Sequence, residues 1–229
     1  MASITCDTVE NVFREASQIN RTAVVEAVRG NAAEASIIFR HALEVFSQID
    51  GSFVTYHQSS AVNPPRNVSS IALEFSRDDE SFCVYNKLLS FELTESPQNG
   101  LDLFFFSSAI MFNMALVFHH HAAAIGSRKF YQAAECMYEK CLSILQAFPV
   151  FSDADMDALQ LAALNNKTHI CFKIGTFDTS DHSLSTIREL SCMLLHSPDA
   201  HTPMHLEESM IHEILINSIV SGPACAPSA

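Results

Sequence analysis

The sequence predicts an all-α fold, an α-α superhelix of helical hairpins carrying a small β-hairpin insert. Three observations carry that expectation. Small residues recur at a spacing that lets two helices touch, each time beside large apolar side chains: VRGNAAEASIIFRHALEVF at 28–46, MFNMALVF at 111–118 followed by AAECMYEKCLSI at 133–144, and LAALNNKTHICFKIGTF at 161–177. The 229 residues are 48% hydrophobic and only 17% charged, with six Gly and no Trp, a balance that favours a folded helical body over a disordered chain or an all-β sandwich. Helix breakers, among them Gly30, Pro149, Gly175 and Pro198, fall between the periodic blocks.

Taken in order, the first hairpin is expected over about 7–48. Gly30 sits at its break, where a left-handed cap suits Gly, and Ala35, Ile38, Phe39, Ala42, Leu43 and Phe46 follow a 3.6-residue period. Residues 51–100 read differently. SSAVNPPRN at 59–67 is turn-rich and its paired prolines forbid helix. Ile71, Leu73 and Phe75 then alternate as in a strand, Asp78 and Asp79 fill a turn, FCVYN at 82–86 starts a second β-prone run, and LLSFEL at 88–93 offers a third.

A second hairpin is expected over about 102–148. Its second helix puts Phe130, Ala133, Ala134, Met137, Cys141, Ile144, Leu145 and Phe148 on one face. The third hairpin spans about 152–196, with Ser152 as N-cap and Asp153, Asp155 and Asp157 at the positive end of the helix dipole. A last amphipathic helix is expected over 203–220 with Pro203 in its first turn, closing a single domain of residues 1–220. The tail 221–229 is expected to be disordered.

Composition excludes several function classes. Net charge is −13 and no Lys/Arg cluster occurs, which argues against nucleic acid and anionic membrane surfaces as partners. Seven scattered cysteines without a CxxC read as reduced thiols, and the N-terminus lacks a basic start, so the expectation is a cytoplasmic protein. Residues 103–127 carry no Asp, Glu, Lys or Arg and are long enough to span a bilayer, yet Ser107, Ser108, Asn113 and three histidines dilute them; a buried helix, covered by 127–148 and 157–175, is the expectation. His119, His120 and His121 point about 100° apart on a helix and cannot converge on one ion. HExxH, GxSxG and GxGxxG are absent. No catalytic residue, cofactor or metal is expected, and the chain reads as a non-enzyme.

The same blocks resemble the tetratricopeptide repeat (TPR) family, whose two-helix units pack small and aromatic residues at fixed places. The resemblance lies in Met114, Ala115, Phe118, Ala134, Tyr138 and Cys141, in Thr168, Cys171, Gly175 and Phe177, and in Gly30, Ala35, Phe39 and Ala42. It departs in HHHAAAI, about two extra helical turns, and in Lys167 at a usually apolar place. Asn-rich first helices with a β-type insert are also similar to algal TPR-like proteins, which adds no function.

The resemblance implies a concave face lined by the first helices and holding a protein or peptide segment. Carried over, the lining residues are Asn20, Arg21 and Val24; Phe112, Asn113, Leu116 and His120; and Asn165, Asn166, His169 and Lys173. Asparagine suits the task because its amide both donates to and accepts from a backbone. With only Arg21 and Lys173 as cations there, a carboxylate clamp is not expected. Three functions follow from this reading: an adaptor binding a peptide in the groove, a structural or self-associating homo-oligomer docking through its last helix or insert, and a domain sensing a small molecule. An exposed apolar face on 203–220 favours the second, and a closed pocket near Phe112 and His169 the third. The asparagines themselves have a purely structural alternative, as polar groups satisfied within the fold.

Overall fold

The computed structural model describes residues 6–49, 67–75, 82–91, 100–147, 154–176, 180–196 and 206–220. Among them are seven helices: α1 (Cys6–Val28), α2 (Ala32–Phe46), α3 (Gly100–Ile125), α4 (Arg128–Gln146), α5 (Ala154–Ile174), α6 (Ser180–His196) and α7 (Glu208–Val220). A two-stranded antiparallel sheet, β1 (Val68–Ala72) and β2 (Lys87–Phe91), lies between α2 and α3 in sequence. The protein is therefore mostly helical with a small sheet. Each helix packs against the next, and α1, α3, α5 and α7 also touch in series.

The hairpin turns are set by glycine. Gly30, Gly126 and Gly175 follow α1, α3 and α5 with φ of 84°, 65° and 76°. In each, the next residue's N–H bonds the carbonyl five residues back, Asn31 to Glu26, Ser127 to Ala122 and Thr176 to Cys171. That is the left-handed helix ending which glycine adopts without steric cost.

The core is continuous. Ala35, Phe39, Ala42 and Phe46 of α2 are buried as the periodicity predicts, with Ile38 and Leu43 half-buried at its edge. On α4 the buried stripe is Tyr131, Ala134, Tyr138, Cys141, Leu142 and Leu145, while Phe130, Ala133, Met137 and Ile144 are only half-buried. The face is thus rotated from the expected one toward Tyr131 and Tyr138, whose rings both meet His119. Helix α3 is long and apolar enough to cross a membrane, but the protein buries 67% of its most apolar stretch. It packs mainly on α4 and α2, with smaller contacts to β2 and to α5, so both expected helices touch it and α2 joins them.

Residues 82–91 form one extended run rather than two strands; only 87–91 pair with β1, in a register running from Val68 opposite Phe91 to Ala72 opposite Lys87. Residues 206 and 207 are not helical, so α7 starts at Glu208 rather than near 203, and Pro203 itself lies outside the described residues. The expected features at 59–67, other than Asn67, and at Asp78, Asp79, Phe148, Pro149, Ser152, Asp153 and 221–229 lie outside the described residues.

Candidate peptide groove

Every residue in a β-run presents its backbone N–H and C=O to one edge, and the edge alternates. In segment 82–91 the even residues turn toward β1: Asn86 O accepts from Leu73 N–H at 2.8 Å, and Asn86 Nδ2 returns a bond to Leu73 O at 2.9 Å. The odd residues turn toward the helices, where buried polar groups must find partners. Asparagines of α3, α5 and α7 meet them with paired bonds. Asn113 accepts Leu89 N–H at 2.8 Å and donates to Leu89 O at 2.7 Å. Asn166 accepts Tyr85 N–H at 2.9 Å and donates to Tyr85 O at 2.8 Å. Asn217 accepts Cys83 N–H at 3.2 Å and donates to Cys83 O at 2.8 Å.

Further side chains complete this ladder. Asn20 donates to Leu89 O at 3.1 Å, Asn165 donates to Cys83 O at 2.9 Å, and the Ser17 hydroxyl donates to Phe91 O at 2.5 Å. The asparagines also order one another: Asn113 donates to Asn20 Oδ1 at 3.1 Å, and Asn217 to Asn165 Oδ1 at 2.9 Å. Each of α1, α3, α5 and α7 therefore supplies at least one asparagine, and the segment runs from α7 at Cys83 to α1 at Phe91.

Side chains of the segment are anchored as well as its backbone. Tyr85, Leu88, Leu89 and Phe91 are buried. Tyr85 lies edge-on to Phe112 at 5.7 Å, and Phe91 lies against Phe106 at 4.4 Å. Burial pushes the Tyr85 hydroxyl pKa above its ordinary value and the Cys83 thiol up to about 12, with Glu213 beside Cys83 adding to the rise.

At the α7-facing end the insert rests on histidines. Phe82 packs on His169 at 4.9 Å, and Phe75 packs edge-on to His119 and His120 at 5.5 and 5.0 Å. His120 Nε2–H donates to Glu74 O at 2.7 Å. Beneath them His119 Nε2 and His169 Nδ1 are 2.9 Å apart, both rings buried. Desolvation first, then His169, His120 and Lys173, hold the His119 pKa well below its ordinary value.

The structure brings together Asn20, Asn113, Asn165 and Asn166 from the sequence-derived set, all fully buried around the chain's own segment. Phe112 and Leu116 are core residues, Phe112 touching Tyr85. His120 and His169 hold the insert, while Arg21 and Lys173 are exposed. Ser17 and Asn217 escaped the sequence reading, although an asparagine on each first helix was the available signal for the second. Among the described residues no group of three His, Cys, Asp or Glu is placed to hold a metal ion. A cleft of about 520 Å³ opens away from Phe112 and His169, between the α1–α2 turn at Gly30 and the side chains of Phe118, His121 and Phe130. Comparison of the chain with protein-family models, with curated proteins and with solved structures finds no match.

Proposed function

We propose that this chain is a non-catalytic protein-interaction module, a TPR-like stack whose inner face reads the backbone of an extended segment. In the described conformation that place is taken by the chain's own residues 82–91. The carrying observation is the set of paired amide bonds to Cys83, Tyr85 and Leu89, because such bonds recognise an extended backbone whatever its side chains. Aromatic and leucine side chains at the places of Tyr85, Leu88, Leu89 and Phe91 define the class of partner segment that fits.

A tethered segment faces its groove at an effective concentration on the order of millimolar, so a free segment of micromolar affinity competes poorly until the insert is withdrawn. The test is a Tyr85→Pro, Leu89→Pro double variant, in which each proline removes an N–H that Asn166 or Asn113 accepts. A synthetic peptide of residues 82–91 should bind this variant with a dissociation constant around micromolar, about −8 kcal/mol. Adding Asn113→Ala and Asn166→Ala should abolish that binding. A helical double variant that takes up no peptide contradicts the reading.

One observation favours a second reading, self-association. Met193 of α6 and Ile216 and Ile219 of α7 are 55%, 56% and 61% exposed at the last hairpin, where a helical stack needs a polar outer face to stay single. Light scattering of the parent and of an Ile216→Glu, Ile219→Glu variant distinguishes the two: a dimer that becomes monomeric in the variant supports self-association.

A further inference from the structure

The buried histidine pair is wired to the groove. Asn166, whose amide reads Tyr85, donates its remaining Nδ2 hydrogen to Tyr138 Oη at 3.1 Å. The phenol hydrogen is then turned toward His119 Nδ1, 3.5 Å away. That assigns the single N–H of neutral His119 to Nε2, from which it donates to His169 Nδ1 at 2.9 Å. The chain of donors therefore runs Asn166, Tyr138, His119, His169 in one direction, and it keeps that direction only while both imidazoles are neutral. A proton added to either ring sets two donors face to face or turns the buried Tyr138 hydrogen away from its acceptor.

We propose that the His119–His169 pair is a proton-operated latch on the groove: at mildly acidic pH it takes up a proton, loosens Glu74, Phe75 and Phe82 from their seats, and releases segment 82–91 from the asparagines. This rests on the peptide-groove reading, since release makes the same amides available to a partner.

Among the described residues, the groups whose charge acts on His119 are His169, His120 and Lys173, and none of them is acidic. Helix α3 presents His120, and α5 presents Lys173; both oppose a positive charge on His119. Helix α4 presents the rings of Tyr131 and Tyr138. The insert presents the rings of Phe75 and Phe82, the Glu74 carbonyl on His120, and Cys83 beyond, whose neighbour is Glu213. The Glu135 carboxylate on α4 accepts instead from the Cys171 thiol at 3.4 Å.

The sign follows from these positions. A histidine whose pKa is depressed in the closed state binds its proton in the open state first. Closure is therefore fully favoured above about pH 6.5 and weakens as pH falls below it, by up to tenfold in the opening equilibrium per pH unit for one proton.

Amide hydrogen exchange on the intact chain reads the latch directly. After correction for intrinsic rates, the amides of Tyr85 and Leu89 should lose protection between about pH 7 and pH 5, by up to tenfold per unit, while Ala115 in α3 keeps its protection. His119→Gln, which removes the ring next to Tyr138, should flatten the pH dependence of the Tyr85 and Leu89 protection, and His119→Gln with His169→Gln should remove it. Unchanged protection of Tyr85 and Leu89 in the parent chain overturns the latch, as does loss of protection that Ala115 shares; both readouts hold even where the variant does not fold. A chain that opens in acid but binds no peptide of residues 82–91 leaves the latch standing and contradicts the groove function.

Discussion

Asn113 shows how much one side chain carries. Its amide makes two bonds to Leu89 and one to Asn20, all buried. Asn113→Ala strands the Leu89 N–H and removes one donor from its carbonyl, and an unsatisfied buried group costs about 1–3 kcal/mol. The expected thermal midpoint falls by roughly 2–12 °C, at about 2–4 °C per kcal/mol for a chain of this size. A midpoint within a degree of the parent would show that Leu89 is not held there. Thiol reactivity separates buried from exposed cysteines in the same spirit. Burial raises the pKa of Cys83 and Cys141, whereas Cys136 and Cys192 are exposed. Peptide mapping after brief alkylation near neutral pH should find Cys136 and Cys192 modified well before Cys83 and Cys141. At this scale the asparagines of α1, α3 and α5 were legible, because an amide on an otherwise apolar helix face needs a polar partner. Their partner was not: Tyr85 lies 81 residues from Asn166 in sequence, and no local period encodes such a pairing.

Elements were easier to read than their neighbours. Periodicity and glycine turns set α1 to α6 to within a few residues, because these signals act within one turn of chain. The insert was harder, since FCVYNKLLSF lacks the clean alternation of a half-solvated strand. Leu88, Leu89, Ser90 and Phe91 are all buried, so both faces of β2 are covered and alternation disappears. Gly126 tests the element scale. A methyl group there meets nothing within 4 Å, so only the backbone φ of 65° resists substitution. Gly126→Ala should therefore destabilise the fold by about 1–2 kcal/mol, the cost of a left-handed L-residue, without changing the helical circular dichroism. A variant as stable as the parent would mean the α3–α4 turn takes another form.

At the scale of the whole molecule, the account is of four helices that each turn asparagine toward one shared extended segment. Their burial is a property of the stack, since no single hairpin contributes more than part of the ladder. The measurement that tests this most directly compares two peptides of residues 82–91 on the Tyr85→Pro, Leu89→Pro chain, one natural and one N-methylated at the Tyr85 and Leu89 positions. Side chains are the same in both, and only the N–H groups read by Asn166 and Asn113 differ. Backbone reading predicts that the methylated peptide binds at least thirtyfold more weakly, since two stranded asparagine acceptors cost about 2 kcal/mol or more together. Equal affinity of the two peptides would contradict it and assign the groove's recognition to side-chain packing alone.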